Sequence, residues 1–162
     1  MKLSAQEEYG LRCLLRIAMA PEEGSLTIPE IARAEALSAP YVAKLMRVLR
    51  QGKFVRSVRG QAGGYMLSRR PEQIRLAEVL AWLGGRLFEP GFCDQFSGLN
   101  RLCTHSIDCS IRSLWRALQN AVDFVLTEIT LKDLLCRESD MSKHLTSALP
   151  LSRPTKWRIR SD

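Results

Sequence analysis

Cys93, Cys103 and Cys109 stand in the spacing C-x9-C-x5-C, inside a stretch (residues 84–106) that has lost all helical or strand periodicity. Pro90, Gly91, Gly98 and Asn100 interrupt it. Irregular backbone is able to turn several thiolates toward one centre, so such a trio suits a metal ion or an iron–sulfur cluster. The spacing fits neither a zinc ribbon nor a ferredoxin. Three unrelated reduced thiols, or thiols acting as a redox switch, are the alternative. Three ligands leave a fourth position open. His105 would complete a Cys3His zinc site. Glu8 is the second candidate, although a carboxylate in a helix's first turn is also favourable through the helix dipole alone. Cys13 and Cys136 sit in helical patterns and are expected to be small buried hydrophobes.

The composition narrows what surrounds this trio. A chain of 162 residues, 46% hydrophobic and 25% charged, makes one compact domain or a small domain with an appendage. No apolar run approaches the roughly 18 residues of a membrane span. The opening MKLSAQEEYG turns charged too early for a signal peptide, so a cytoplasmic location is expected, where thiols stay reduced. Five cysteines there point to metal or redox chemistry rather than disulfides. Two histidines, no Ser/His/Asp set and a Gly-rich turn without Lys-Ser/Thr give no basis for an enzyme.

The net charge of +7 is concentrated. Residues 38–70 carry Lys44, Arg47, Arg50, Lys53, Arg56, Arg59, Arg69 and Arg70 with no Asp or Glu, a window of +8 in an otherwise nearly neutral chain. A basic stripe confined to one segment is the footprint of a nucleic-acid site.

The elements that carry that charge are well signposted. Ser4 with Glu7 forms a capping box, and Leu11, Leu14, Leu15 and Ala18 follow at helical spacing until Pro21 and Gly24. Thr27 with Glu30 forms a second box for a short helix to about Ala34. Ser38 is expected to cap a third helix over residues 39–51, ended by Gly52. That helix sorts by face: Val42, Leu45, Met46 and Leu49 form an apolar stripe, while Tyr41, Lys44, Arg47 and Gln51 point away, as suits a helix in the major groove. Residues 54–67 read as a β-hairpin around the glycine-rich turn 60–64, with Arg59 at the strand end. Helix-turn-helix plus a basic hairpin is a winged helix.

A fourth helix is expected over residues 74–83. Ile107, Ile111, Leu114, Trp115, Leu118, Val122, Val125 and Ile129 then mark a long helix with more apolar surface than a small domain covers, which implies a homodimer. Residues 130–135 add a turn or short helix. The expected organisation is a mainly α chain with a small hairpin wing: a DNA-binding domain (1–83), a cysteine loop (84–106), a dimerisation helix (107–136) and a disordered tail (137–162) whose end is basic.

These features resemble the family of dimeric winged-helix bacterial regulators that includes IscR and NsrR. The matching text is MKLSAQEEYGLRCLL, SAPYVAKLMRVLRQGKFVRSVRGQAGGYMLSR, IRLAEVLAWL and ITLKDLL, with a VRGxxGGY wing and a cysteine trio just before a long helix. The resemblance implies an iron–sulfur cluster on Cys93, Cys103 and Cys109, a 2Fe–2S form being favoured over 4Fe–4S. Arg112 stands where IscR-like members place a histidine ligand, whereas NsrR-like members use an acid at the place of Glu8, donated across the dimer. It also implies that Ser38, Tyr41, Lys44, Arg47, Arg59, Gly60 and Gln61 meet a palindromic double-stranded DNA operator. The function expected is a homodimeric repressor whose DNA binding follows redox state, nitric oxide or iron and cluster supply. The alternative is a cofactor-free or zinc-bound winged-helix regulator with a cysteine switch.

Overall fold

Both predicted capping boxes form. In α1 (Ala5–Ala18) the Glu7 N–H donates to Ser4 Oγ at 3.2 Å and the Ser4 N–H to Glu7 Oε2 at 2.8 Å. In α2 (Ile28–Glu35) the Thr27 N–H donates to Glu30 Oε2 at 2.8 Å. Each box satisfies amide donors that a helix N-terminus otherwise leaves open. The structure, a computed structural model, describes residues 3–21, 24–60, 63–89, 91–97, 103, 105 and 107–148. Helix α1 stops at Ala18, ahead of Pro21, and α2 stops with Ala36 in the left-handed region at φ 55°.

Helix α3 (Ala39–Gln51) buries Val42, Leu45, Met46 and Leu49, the stripe that its sequence pattern defines. Ser38 holds the cap position, but its side chain makes no capping hydrogen bond. These residues meet Leu14 and Ile17 of α1, Ile31 of α2 and, from α4 (Leu76–Gly84), Val79 and Leu83. A 3-10 turn at Pro71–Gln73 leads into α4.

Strands β1 (Val55–Val58) and β2 (Gly64–Leu67) pair antiparallel in the register Val55↔Leu67, Arg56↔Met66, Ser57↔Tyr65 and Val58↔Gly64. Leu26, just before α2, adds itself to the hairpin through two hydrogen bonds with Tyr65, at 2.9 and 2.8 Å. That pairing explains Gly64: a Cβ there would lie 2.7 Å from the Leu26 carbonyl oxygen.

Beyond α4 the chain forms a short helix α5 (Phe92–Gln95) and then α6 (Ser110–Thr127). The long helix is shorter than its apolar repeat. Ile107 lies ahead of it, 98% exposed, while Ile129 and Leu131 beyond its end are buried in the winged-helix core. The Leu76 N–H donates to the Ile129 carbonyl at 2.9 Å and the Leu131 N–H to the Ile74 carbonyl at 2.8 Å, a bridge that no helix could make. Asp133 draws the chain out of helix at this point, its carboxylate accepting from both the N–H and the hydroxyl of Thr130. A 3-10 turn (Asp133–Leu135) follows.

The expectation of a tail disordered from residue 137 is corrected by α7 (Glu138–Ala148). Glu138 and Asp140 in its first turn suit the helix dipole, and Met141 and Leu145 make a half-buried pair one turn apart. Residues 149–162, the basic end included, lie outside the described residues. Among the described residues no helix is long and apolar enough to cross a membrane.

Candidate functional site

The polar face of α3 is open to solvent, with Ser38, Lys44, Arg47, Arg50 and Gln51 all exposed. Tyr41 departs from this face. It is half-buried, its ring edge-on to Tyr9 of α1 with centroids 6.0 Å apart, because the first turn of α3 crosses close to α1. At the wing tip Arg59 is exposed, Gly60 adopts φ 112°, and its carbonyl accepts from the Gly63 N–H at 2.9 Å. A side chain at residue 60 would be strained in that backbone. Gln61, expected to contact DNA, lies outside the described residues. Lys44, Arg47, Arg50, Arg56 and Arg59 form no ion pair among the described residues, so their charge is left for an external polyanion.

Two braces hold this surface, and neither announces itself in the sequence. Glu35, at the end of α2 and only 8% exposed, accepts from Arg12 Nε at 2.9 Å and Arg16 Nε at 2.8 Å, both on α1. Arg12 also donates to the Glu35 carbonyl and lies over the Tyr9 ring. Burial pushes the Glu35 carboxyl up, but the hydrogen bonds from Arg16 and Arg12 outweigh it and hold the group below the usual carboxylate range. At the other end, Trp82 Nε1 of α4 donates to the Val48 carbonyl of α3 at 2.9 Å. Gly52 makes room for that indole: a Cβ there would lie 2.6 Å from the Phe54 ring and 2.8 Å from Trp82.

The second half of the site is a cavity of about 390 Å³. Cys93 on α5, Cys103, His105 and Cys109 at the start of α6 all line it, so the tertiary structure gathers the predicted trio and the histidine on common walls. The remaining wall is apolar and largely aromatic, with Phe88, Phe92, Phe96, Ile111 and Trp115. Phe92 touches three of these rings, at centroid distances of 5.1, 4.7 and 6.5 Å. Cys109 Sγ accepts the Arg112 N–H at 3.3 Å and so caps α6, while Arg112 Nη2 donates to the His105 carbonyl at 3.0 Å. Glu8, the other candidate fourth ligand, is exposed on α1 and is not part of this lining.

Sharing walls is not coordination. Among the described residues, no three His, Cys, Asp or Glu side chains stand close enough together to hold a metal ion. The donor set nonetheless fits a soft metal centre: three free, half-buried thiols in a largely apolar pocket with no carboxylate among its described lining residues.

The other two cysteines separate. Cys13 is fully buried in the core, and burial pushes its thiol up to about 11, so it is inert as expected. The expectation that Cys136 is buried is corrected. It is exposed, since the chain leaves the core after Leu131, and its thiol donates to the Asp133 carbonyl at 2.9 Å.

A third brace ties the cysteine loop to α6. Gln119, buried at 6% exposure, accepts the Phe88 N–H at 3.1 Å and donates to Asp123 Oδ1 at 2.8 Å, and Arg86 closes the set with an ion pair to Asp123. The spacing of Gln119 and Asp123 one helical turn apart is the one trace of it in the sequence. Elsewhere on α6, Ile111 at the cavity wall and Leu114, Leu118 and Phe124 are exposed.

Residues 3–137 match the family model described as Rrf2, iron-dependent transcriptional regulator. The protein rrf2 of Nitratidesulfovibrio vulgaris is 33% identical over 150 residues, covering 93% of this chain and 97% of its own. Among solved structures, CymR of B. subtilis, described as its global cysteine regulator, has a TM-score of 0.66 at 29% identity, over 83% of this chain and 95% of its own. IscR of T. potens has a TM-score of 0.64 at 28% identity, over 95% of this chain and 94% of its own. A winged helix with that likeness across nearly all its length is a regulator rather than an enzyme: the chain belongs to the Rrf2 family of transcriptional regulators.

Proposed function

We propose that this protein is a homodimeric DNA-binding repressor whose hold on DNA is set by an iron–sulfur cluster bound in the cysteine cavity. The observation that carries the reading is the meeting of Cys93, Cys103 and Cys109 in one aromatic pocket at the start of a helix with an uncovered apolar face. When bound, a cluster, 2Fe–2S in the favoured form, would supply iron that exchanges electrons or takes nitric oxide. The three thiolates would hold it, the aromatic wall would keep water off it, and Arg112 would offset negative charge on the sulfurs. Glu8 of the partner subunit would be the fourth ligand, an oxygen donor that matches such iron less well than a thiolate and would exchange more readily.

The uncovered face of α6 pairs with its copy, and the two α3 helices enter successive major grooves of a palindromic operator. Ser38, Tyr41, Lys44 and Arg47 lie at the groove, with Arg59, Gly60 and Gln61 at the wing. Cys109 caps α6, so movement of the cysteine loop is felt by the dimer helix and by the spacing between the α3 helices.

Protein purified without oxygen should be brown, with visible absorption that disappears in Cys93→Ala, Cys103→Ala and Cys109→Ala and changes in Glu8→Ala. A gel-shift series should show a palindrome preferred over bulk DNA, weakening steeply with salt. Colourless protein with about one zinc per chain would transfer the site to a Cys3His set using His105. The separation of the thiols favours a second reading, a cofactor-free thiol switch. Colourless, metal-free protein whose DNA affinity follows thiol oxidation would establish it.

A further inference from the structure

A larger cavity, of about 630 Å³, lies away from the cysteines. It opens between the end of α1, the root of the hairpin and the 3-10 turn after α6. Its floor is apolar, made by the buried Ile17 of α1 and the half-buried Met66 on β2 and Leu135 from the turn. Its rim is cationic, made by Arg56, Arg69, Arg70 and Lys132.

Among the described lining residues Glu72 is the one carboxylate, and it pairs with Lys132 at 3.8 Å. Arg69 is held in place by Glu78 at 2.6 Å and by the Phe54 ring, and its Nε is buried without a hydrogen-bond partner among the described residues. Arg56 and Arg70 have no carboxylate partner among the described residues.

A merely solvated basic face needs no concavity and no apolar floor. Guanidinium groups around an apolar recess of this size match a ligand that carries both an anionic head and a hydrocarbon body. A DNA phosphate would satisfy the charge but leave the floor unfilled. We propose that this cavity binds a small amphipathic anion, a carboxylate or phosphate monoester on a short aliphatic chain. Arg56 and Arg70 hold the head, and Met66 and Leu135 receive the body. Such a ligand touches the wing, α1 and the segment that returns from α6, so it joins the three elements that set the wing's position.

Titration calorimetry on the full chain without DNA tests this, with octanoate and inorganic phosphate as probes. Octanoate should bind at one site per chain, at least tenfold more tightly than phosphate. The double variant Arg56→Ala/Arg70→Ala should weaken it at least tenfold. Met66→Glu should do the same while keeping the hairpin, because residue 66 faces Arg56 in the strand register and a carboxylate there pairs with it. No octanoate binding, equal affinity for the two probes, or unchanged octanoate affinity in both variants would each overturn the proposal. If octanoate does not bind and the double variant loses duplex DNA affinity with a shallower salt dependence, the two arginines are DNA phosphate contacts instead.

Discussion

The winged-helix core and helix α6 are both written as amphipathic helices, yet they end differently. In the core, the apolar stripes of α1, α3 and α4 find one another inside the same chain, and Leu14, Leu45, Leu49 and Val79 reach zero exposure. On α6 the one buried residue is Gln119, a polar side chain serving the brace to the cysteine loop, while Leu114 and Phe124 remain more than half exposed. The same periodicity therefore marks a finished interior in one region and an unfinished one in the other. What completes a stripe depends on whether a second stripe lies within reach, and α6, which meets α4 and the cysteine loop, still leaves Leu114 and Phe124 uncovered.

The contrast is breakable by substitution. Leu45→Ala removes packing from a filled core and should cost about 2–5 kcal/mol, read by denaturant unfolding. Leu114→Glu should leave helix content unchanged by circular dichroism and convert the proposed dimer to monomer in sedimentation. A dimer that survives this change would show that α6 is not the interface.

The Glu35 brace is the next largest effect. Glu35→Gln should cost about 1–2 kcal/mol, the Arg partners being partly exposed. Its carboxyl lies lower in the folded chain than the ordinary carboxylate value it has in the unfolded one. The ion pair therefore stabilises fully above that value and is lost as pH falls through the depressed one. The variant should flatten the acid limb of a stability–pH curve; an identical slope would remove Glu35 as its source.

The cysteines sharpen the comparison by reactivity. Native, metal-free protein at pH 8 should be alkylated at Cys93, Cys103, Cys109 and Cys136, with Cys13 protected until unfolding, as mass spectrometry would show. Labelling of Cys13 at the same rate would mean that the core opens far more easily than its packing implies. The smallest effect is at Ala36: Ala36→Gly relieves the left-handed backbone and should raise stability by about 0.5–1 kcal/mol, a Tm increase of a few degrees.

Features of short range were the legible ones. The capping boxes at Ser4 and Thr27 and the buried face of α3 rest on residues three or four apart, which a helix brings together wherever it sits. The cysteine trio was legible as chemistry, because thiols in an irregular stretch are few and conspicuous. The braces were not. Arg12 and Glu35, or Phe88 and Gln119, meet only after helices pack, and nothing local distinguishes these side chains from solvated ones. The return of Leu131 to the core was hidden for a related reason: Ile129 and Leu131 continue the apolar repeat of α6, and only the pairing with Ile74 and Leu76 shows that the helix has ended. Cys136 was misplaced by the same continuity.

By itself, then, the sequence determined where helices start, which faces are apolar, where positive charge gathers and which residues could bind a metal, all of which follow from local stereochemistry and composition. Only the tertiary structure decided that the three thiols share one aromatic pocket without yet converging, that Tyr41 leans on α1, and that cations from the wing and from beyond α6 ring a common cavity. Those are distances between segments far apart in the chain. They are set by how the core packs, which no local pattern encodes.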